Sequence, residues 1–119
     1  MDDRRAHPRF RTPDMMAMVR VPESSLDYYF HVENLSQSGL AIVTKTLKGF
    51  PIEPGRVIDL EVYSPSGNIS CRGVVARIIP GPGESPLGVG VQVYSFAPGA
   101  QQKWDSLIED MAARGDALS

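Results

Sequence analysis

Apolar and polar positions alternate with a period of two through most of the chain. In 57–63, Ile58, Leu60 and Val62 fall on one face and Asp59 and Glu61 on the other, the pattern of a half-buried strand. In 87–94, Val89, Val91 and Val93 share a face opposite Gly88, Gly90 and Gln92, where small residues let another backbone approach. Between them, 69–79 reads as one long strand with a bulge or sharp bend at Gly73, and Pro80-Gly81-Pro82-Gly83 ends it. Three shorter strands are expected earlier, at 17–21, 28–32 and 40–44, from their branched and aromatic residues. Turns at Gly49-Phe50-Pro51, Glu53-Pro54-Gly55 and 64–68 separate the later ones. After Ala97-Pro98-Gly99 the period lengthens: Trp104, Leu107, Ile108 and Met111 stand at i, i+3, i+4 and i+7, one apolar stripe of a helix. Six strands with short turns and one terminal helix predict an all-β fold, a small antiparallel barrel or a strongly curled sheet whose closure hides the edge strands, with a C-terminal α-helix lying on it.

Composition adds the organisation. At 119 residues, 42% hydrophobic and 22% charged, the chain can build one core and not two. The expected division is a flexible arginine-rich arm over 1–14, a barrel with its helix over 15–114, and a short tail over 115–119. No apolar run approaches the roughly 20 residues of a membrane span. Met1-Asp2-Asp3-Arg4-Arg5 has no apolar segment behind it to make a signal peptide, so a cytoplasmic location and no membrane insertion are expected. The single cysteine, Cys71, sits in a strand-like apolar stretch and reads as a small buried hydrophobe with no chemical role.

Charge changes the picture at the N-terminus. Arg4, Arg5, Arg9 and Arg11 fall within eight residues of a chain whose net charge is −2. A guanidinium presents a planar fork of donors that grips phosphate oxygens, pairs with the O6/N7 edge of guanine, or stacks on a base. Several on one short arm point to an anionic, purine-containing ligand, and the local character of the cation points to a small one. The arm carries Pro8 and Pro13 and few apolar side chains, so it is expected to stay loose until a ligand clamps it.

Asn34-Leu35-Ser36-Gln37-Ser38-Gly39 lies between two strand-like runs and reads as a structured hairpin loop, with Gly39 available for a left-handed conformation. Turns are built of these residue types in any case. The same groups, an amide, a hydroxyl and exposed backbone N–H, can also read the edge of a base. Catalysis is not expected: the two histidines, His7 and His31, stand in no HxxxH pattern, and no CxxC or paired-carboxylate spacing occurs. Nucleic acid is not expected either, because the exposed strand face carries Asp59 and Glu61 rather than interleaved basic and aromatic residues.

Taken together, Arg5 and Arg9 followed by Asn34, Ser36 and Gly39 spell RxxxR and then [D/N]xSxxG. With the segments RRAHPR, NLSQSG, VIDLEV, RGVVARI and LGVGVQV in this order, the chain resembles a PilZ domain over nearly its whole length. The resemblance implies a six-stranded barrel with a C-terminal helix that acts as a bacterial receptor for cyclic di-GMP, with no other cofactor. It assigns Arg5 and Arg9 to the phosphates and a guanine, Arg4 to a further contact from the arm, and Asn34, Ser36 and Gly39 to the other guanine. Arg77, on the RGVVARI strand, is a candidate additional stacking or phosphate group. Asn34 stands where the family more often has Asp, an amide oxygen in place of a carboxylate. An output through an unidentified protein partner in motility, polysaccharide or secretion machinery is the expected mode of action. The alternative is a PilZ-type adaptor that binds protein and no nucleotide.

Overall fold

A computed structural model describes residues 9–11, 15–24, 26–44, 53–65, 67–81 and 86–115, with Arg9, Arg11 and Pro86 described by their backbone alone. The strands are β1 (Arg9–Arg11), β2 (Met16–Arg20), β3 (Asp27–Ser36), β4 (Gly39–Val43), β5 (Val57–Ser64), β6 (Gly67–Pro80) and β7 (Pro86–Phe96), followed by helix α1 (Ala100–Ala113). All pairings are antiparallel, in the order β3-β2-β5-β6-β7-β4, and β4 pairs back onto β3. That ring is the expected six-stranded barrel with its C-terminal helix. The short β1 shares one edge of β3 with β2, running along 34–36 where β2 runs along 27–31. β1 therefore adds a strand without adding a position to the ring.

The alternation expected from sequence is what closes the core. Ile58, Leu60 and Val62 of β5 turn inward together with Val89 and Val91 of β7, each at most 3% exposed. Phe30, Leu35, Leu40, Ile42, Ile69 and Val75 complete the wall. Burying each such side chain stabilises the fold by about 1.5–3 kcal/mol. The register slips between Arg72 and Gly73, so the bend sits where Gly73 marked it. A Cβ at that glycine would come within 2.6 Å of a Val91 methyl group and 2.8 Å of the Gln92 carbonyl oxygen, and the backbone oxygen cannot step aside.

Gly99 takes φ 79° and starts α1. The predicted apolar stripe of the helix, Trp104, Leu107, Ile108 and Met111, is buried on the barrel core. Trp104 packs edge-on against Phe96 at the end of β7, ring centroids 5.6 Å apart and planes tilted by 59°. Among the described residues no helix is long and apolar enough to cross a membrane.

Candidate functional site

The hairpin bearing Asn34, Ser36 and Gly39 is tighter than its residue types suggest. β3 runs on through Ser36 and β4 begins at Gly39, which pairs with Ser36, so only Gln37 and Ser38 form the turn. Asn34 and Ser36 are strand residues here, because pairing with β4 outweighs their local preference for turns. Glu33 is the extra residue where the β3–β4 register shifts, and that shift sets Asn34 opposite Ala41. Gly39 is required for a different reason from the one expected: positive φ is found at Gly55, Gly67, Gly99 and Gly115 and not at Gly39. A Cβ at Gly39 would instead overlap the carbonyl oxygen of Val91, so the close approach of β7 demands glycine.

Three bonds hold this turn from behind. The Val93 amide donates to the carbonyl of Ser38 at 2.9 Å. The Trp104 indole Nε1 donates to the carbonyl of Ser36 at 3.0 Å, inside the core. Gln37 Nε2 donates to Asp105 Oδ1 at 2.6 Å on the surface.

β1 brings the arginine arm to the same place. Arg9 stands opposite Ser36, Phe10 opposite Leu35, and Arg11 opposite Asn34. Phe10 is 5% exposed and belongs to the core cluster. Residues 9–11 of the expected arm are thus part of the sheet, anchored by an apolar side chain whose role the sequence reading missed. Its signal is the polar-apolar-polar order Arg9-Phe10-Arg11, too short to stand alone as a strand. Arg4, Arg5, His7 and the rest of 1–8 and 12–14 lie outside the described residues, as does the tail beyond Gly115.

A row of paired residues then crosses four strands: Asn34 on β3, Ala41 on β4, Gly90 on β7 and Arg77 on β6. Directly opposed residues of antiparallel strands share a face. A Cβ built on Gly90 would meet Arg77 Cγ at 2.9 Å and Nε at 3.0 Å, so the Arg77 side chain lies flat over that glycine. Three other arginines are engaged by carboxylates: Arg20 by Asp27 at 2.8 Å, Arg72 by Asp59 at 2.7 Å, and Arg56 by Glu23 at 4.0 Å. Arg77 is exposed and has no carboxylate partner among the described residues. The row therefore sets two small buried residues, Ala41 and Gly90, between the Asn34 amide at one end and the exposed Arg77 guanidinium at the other. Such a surface suits a flat, electron-rich, anionic ligand.

The remaining face of the barrel is of another kind. A groove of about 440 Å³ there is lined by Met18, Arg20, Asp59, Glu61, Arg72 and Phe96 among others, and Asn34, Ser36, Gly39 and Arg77 are not part of its lining. Both of its guanidinium groups are paired, Arg72 with Asp59 and Arg20 with Asp27. The hydrogen bond from Arg72 to Asp59, with the charge of that carboxylate, pushes the guanidinium pKa above its ordinary value. Burial, with a smaller push from Asp59, raises the Cys71 thiol to about 12, so it stays protonated, as a small hydrophobe does. Among the described residues no group of three His, Cys, Asp or Glu side chains is placed to hold a metal ion.

Comparison with known proteins places this geometry. The fold is similar to the Bacillus subtilis inhibitor of motility MotI/DgrA, at a TM-score of 0.73 and 21% identity, covering 96% of this chain and 52% of that one. It is similar to MrkH of K. pneumonia in complex with c-di-GMP, at a TM-score of 0.76 and 22% identity, covering 96% and 54% respectively. The chain thus spans about half the length of MotI and MrkH. It is also similar to the PilZ domain of YcgR from Escherichia coli, solved with c-di-GMP, at a TM-score of 0.66 and 15% identity, and here 95% of each chain is covered. No curated protein sequence matches the chain significantly. The PilZ domain profile matches residues 3–110, which takes in the arginine arm, the closed ring, the Asn34–Gly39 hairpin and most of α1, and the chain belongs to the PilZ domain family.

Proposed function

We propose that this PilZ domain is a receptor for cyclic di-GMP, bound on the outer face of the barrel where β1, the β3–β4 hairpin and Arg77 meet. The observation that carries the reading is the ladder between β1 and β3: Arg9 and Arg11 are paired in register with Ser36 and Asn34, so two motifs about 25 positions apart form one continuous edge. In this reading Arg5 and Arg9 hold the phosphates and one guanine, with Arg4 beside them. Asn34, Ser36 and Gly39 seat the other guanine, and Arg77 stacks on or neutralises the ligand from across Gly90. The ligand's two phosphate charges and two purine faces match forked guanidinium donors and the polar groups of the hairpin. That MrkH and the PilZ domain of YcgR have been solved with c-di-GMP supports the choice of ligand.

Signalling follows from the arm. Arg4 and Arg5 precede β1 in the chain, and β1 itself runs along the edge of the hairpin. Closing that segment over the ligand makes a composite surface of arm, nucleotide and barrel that a protein partner reads in trans. Calorimetric titration of the chain with cyclic di-GMP tests the reading, and saturable binding at micromolar concentration or below is expected. A silent titration sinks it and leaves the nucleotide-free adaptor.

A further inference from the structure

We propose that Trp104 and Asp105 of α1 are positioning residues for the Asn34–Gly39 hairpin, so that the C-terminal helix sets the affinity of the nucleotide site from behind. This rests on the cyclic di-GMP reading above. The two residues are neighbours on one helical turn, and each bonds a different part of the same short turn. Trp104 Nε1 reaches the Ser36 carbonyl at 3.0 Å, and Asp105 Oδ1 receives Gln37 Nε2 at 2.6 Å. Both partners are 68 positions earlier in the chain, so the bonds exist only when the helix is docked.

The Trp104 bond is wholly buried, and the indole is 0% exposed. Moving the hairpin relative to the helix would break this buried hydrogen bond, so the two shift together or at a cost. Phe96 packs against the indole and fixes its direction. Phe96 ends β7, and β7 also supplies the Val93 amide to Ser38 and the Val91 carbonyl that forces glycine at position 39. Ser36 and Gly39, two members of the motif, are therefore held by one block made of α1 and the end of β7. Asn34 is two residues along the same strand. By reciprocity, whatever the helix contributes to the geometry of the site, the bound ligand returns as stabilisation of the docked helix.

Trp104 is also the only tryptophan in the chain, so its emission reports the state of this contact. The test uses the full chain with Trp104→Phe, Asp105→Ala and Asp105→Asn. Phe keeps an aromatic ring in the core and removes the donor, Ala removes the acceptor at the surface, and Asn keeps an acceptor oxygen. Expected results are a ligand-dependent shift of the wild-type emission and cyclic di-GMP affinity about three- to tenfold weaker in Trp104→Phe. Asp105→Ala should lose about two- to threefold, and Asp105→Asn should restore it while the melting temperature stays level across the Asp105 series. A purely structural helix would leave the affinities of the folded Asp105 variants equal and the emission insensitive to ligand, and that result overturns the inference. Wild-type chain that fails to bind at all would overturn the cyclic di-GMP reading itself. Amide resonances of 34–39 that stay in place in Trp104→Phe would overturn the positioning role with no ligand present.

Discussion

Phe10 on β1 stands opposite Leu35 on β3, and both side chains are buried in the barrel core, at 5% and 0% exposed. This pair is what joins an arginine-bearing segment to the hairpin of the site. The two flanking arginines, Arg9 and Arg11, stand in register opposite Ser36 and Asn34 on either side of this buried pair.

Replacing Phe10 by alanine should therefore cost more than its place near the chain start suggests. The expected loss is about 3 kcal/mol, the lower end for a buried Phe truncation, because β1 is short and lies on an edge. Urea unfolding measures it. Cyclic di-GMP affinity should fall along with stability, while Phe10→Leu should retain most of both. A Phe10→Ala chain with wild-type stability and affinity would show that β1 is dispensable.

Gly39 and Gly90 should respond differently to alanine. At Gly39 the new methyl would overlap the backbone carbonyl of Val91, which cannot step aside, so a loss of about 1–3 kcal/mol is expected. At Gly90 the new methyl meets the Arg77 side chain, a flexible group, so stability should change by less than about 0.5 kcal/mol. The effect of Gly90→Ala should appear in ligand affinity, which is expected to fall to the level of Arg77→Ala. Equal stability of the two alanine variants would contradict the distinction.

The raised thiol of Cys71 makes a prediction about alkali. Its pKa moves from 9.0 to about 12 on folding, mainly through burial, so the native chain holds this proton more firmly than the unfolded one. The stability from this source is fully present below about pH 9 and is lost as pH rises toward 12, by up to about 1.4 kcal/mol per pH unit. Cys71→Ala carries a constant packing deficit but lacks this slope. Its stability deficit relative to wild type should therefore shrink between about pH 8 and pH 10.5 in urea melts. A deficit that stays constant over that range would contradict the buried, protonated thiol.

How much of this was legible beforehand varies with the range of the interaction. The barrel strands and the helix were legible because each repeats its own period: Ile58, Leu60 and Val62 need only their neighbours to reveal a face, as do Trp104, Leu107 and Met111. Gly73 marked its bulge because an isolated glycine in a strand has few other uses. The strand Arg9–Arg11 was hidden because its three residues gain their conformation from β3 rather than from local preference. For the same reason Asn34 and Ser36 looked like turn residues. Their pairing with β4 and β1 comes from tertiary contact, and local propensity yields to it. The glycine at 39 was identified, but its reason lies in Val91, more than fifty residues downstream, and no local pattern carries that information. That Arg77 has no carboxylate partner among the described residues, against the pairing of Arg20, Arg56 and Arg72, likewise emerges only when strands are set side by side.

The account stands on one joint site made by the arginine segment and the hairpin, and calorimetric titration of three chains with cyclic di-GMP tests that most directly. Wild type should bind at micromolar concentration or below, and Arg9→Ala and Asn34→Ala should each lose about tenfold or more while melting near the wild-type temperature. Charged hydrogen bonds of about 1.5–3 kcal/mol set that scale for Arg9. Variants that bind as tightly as wild type, or a wild-type chain that gives no heat with this ligand, would contradict it.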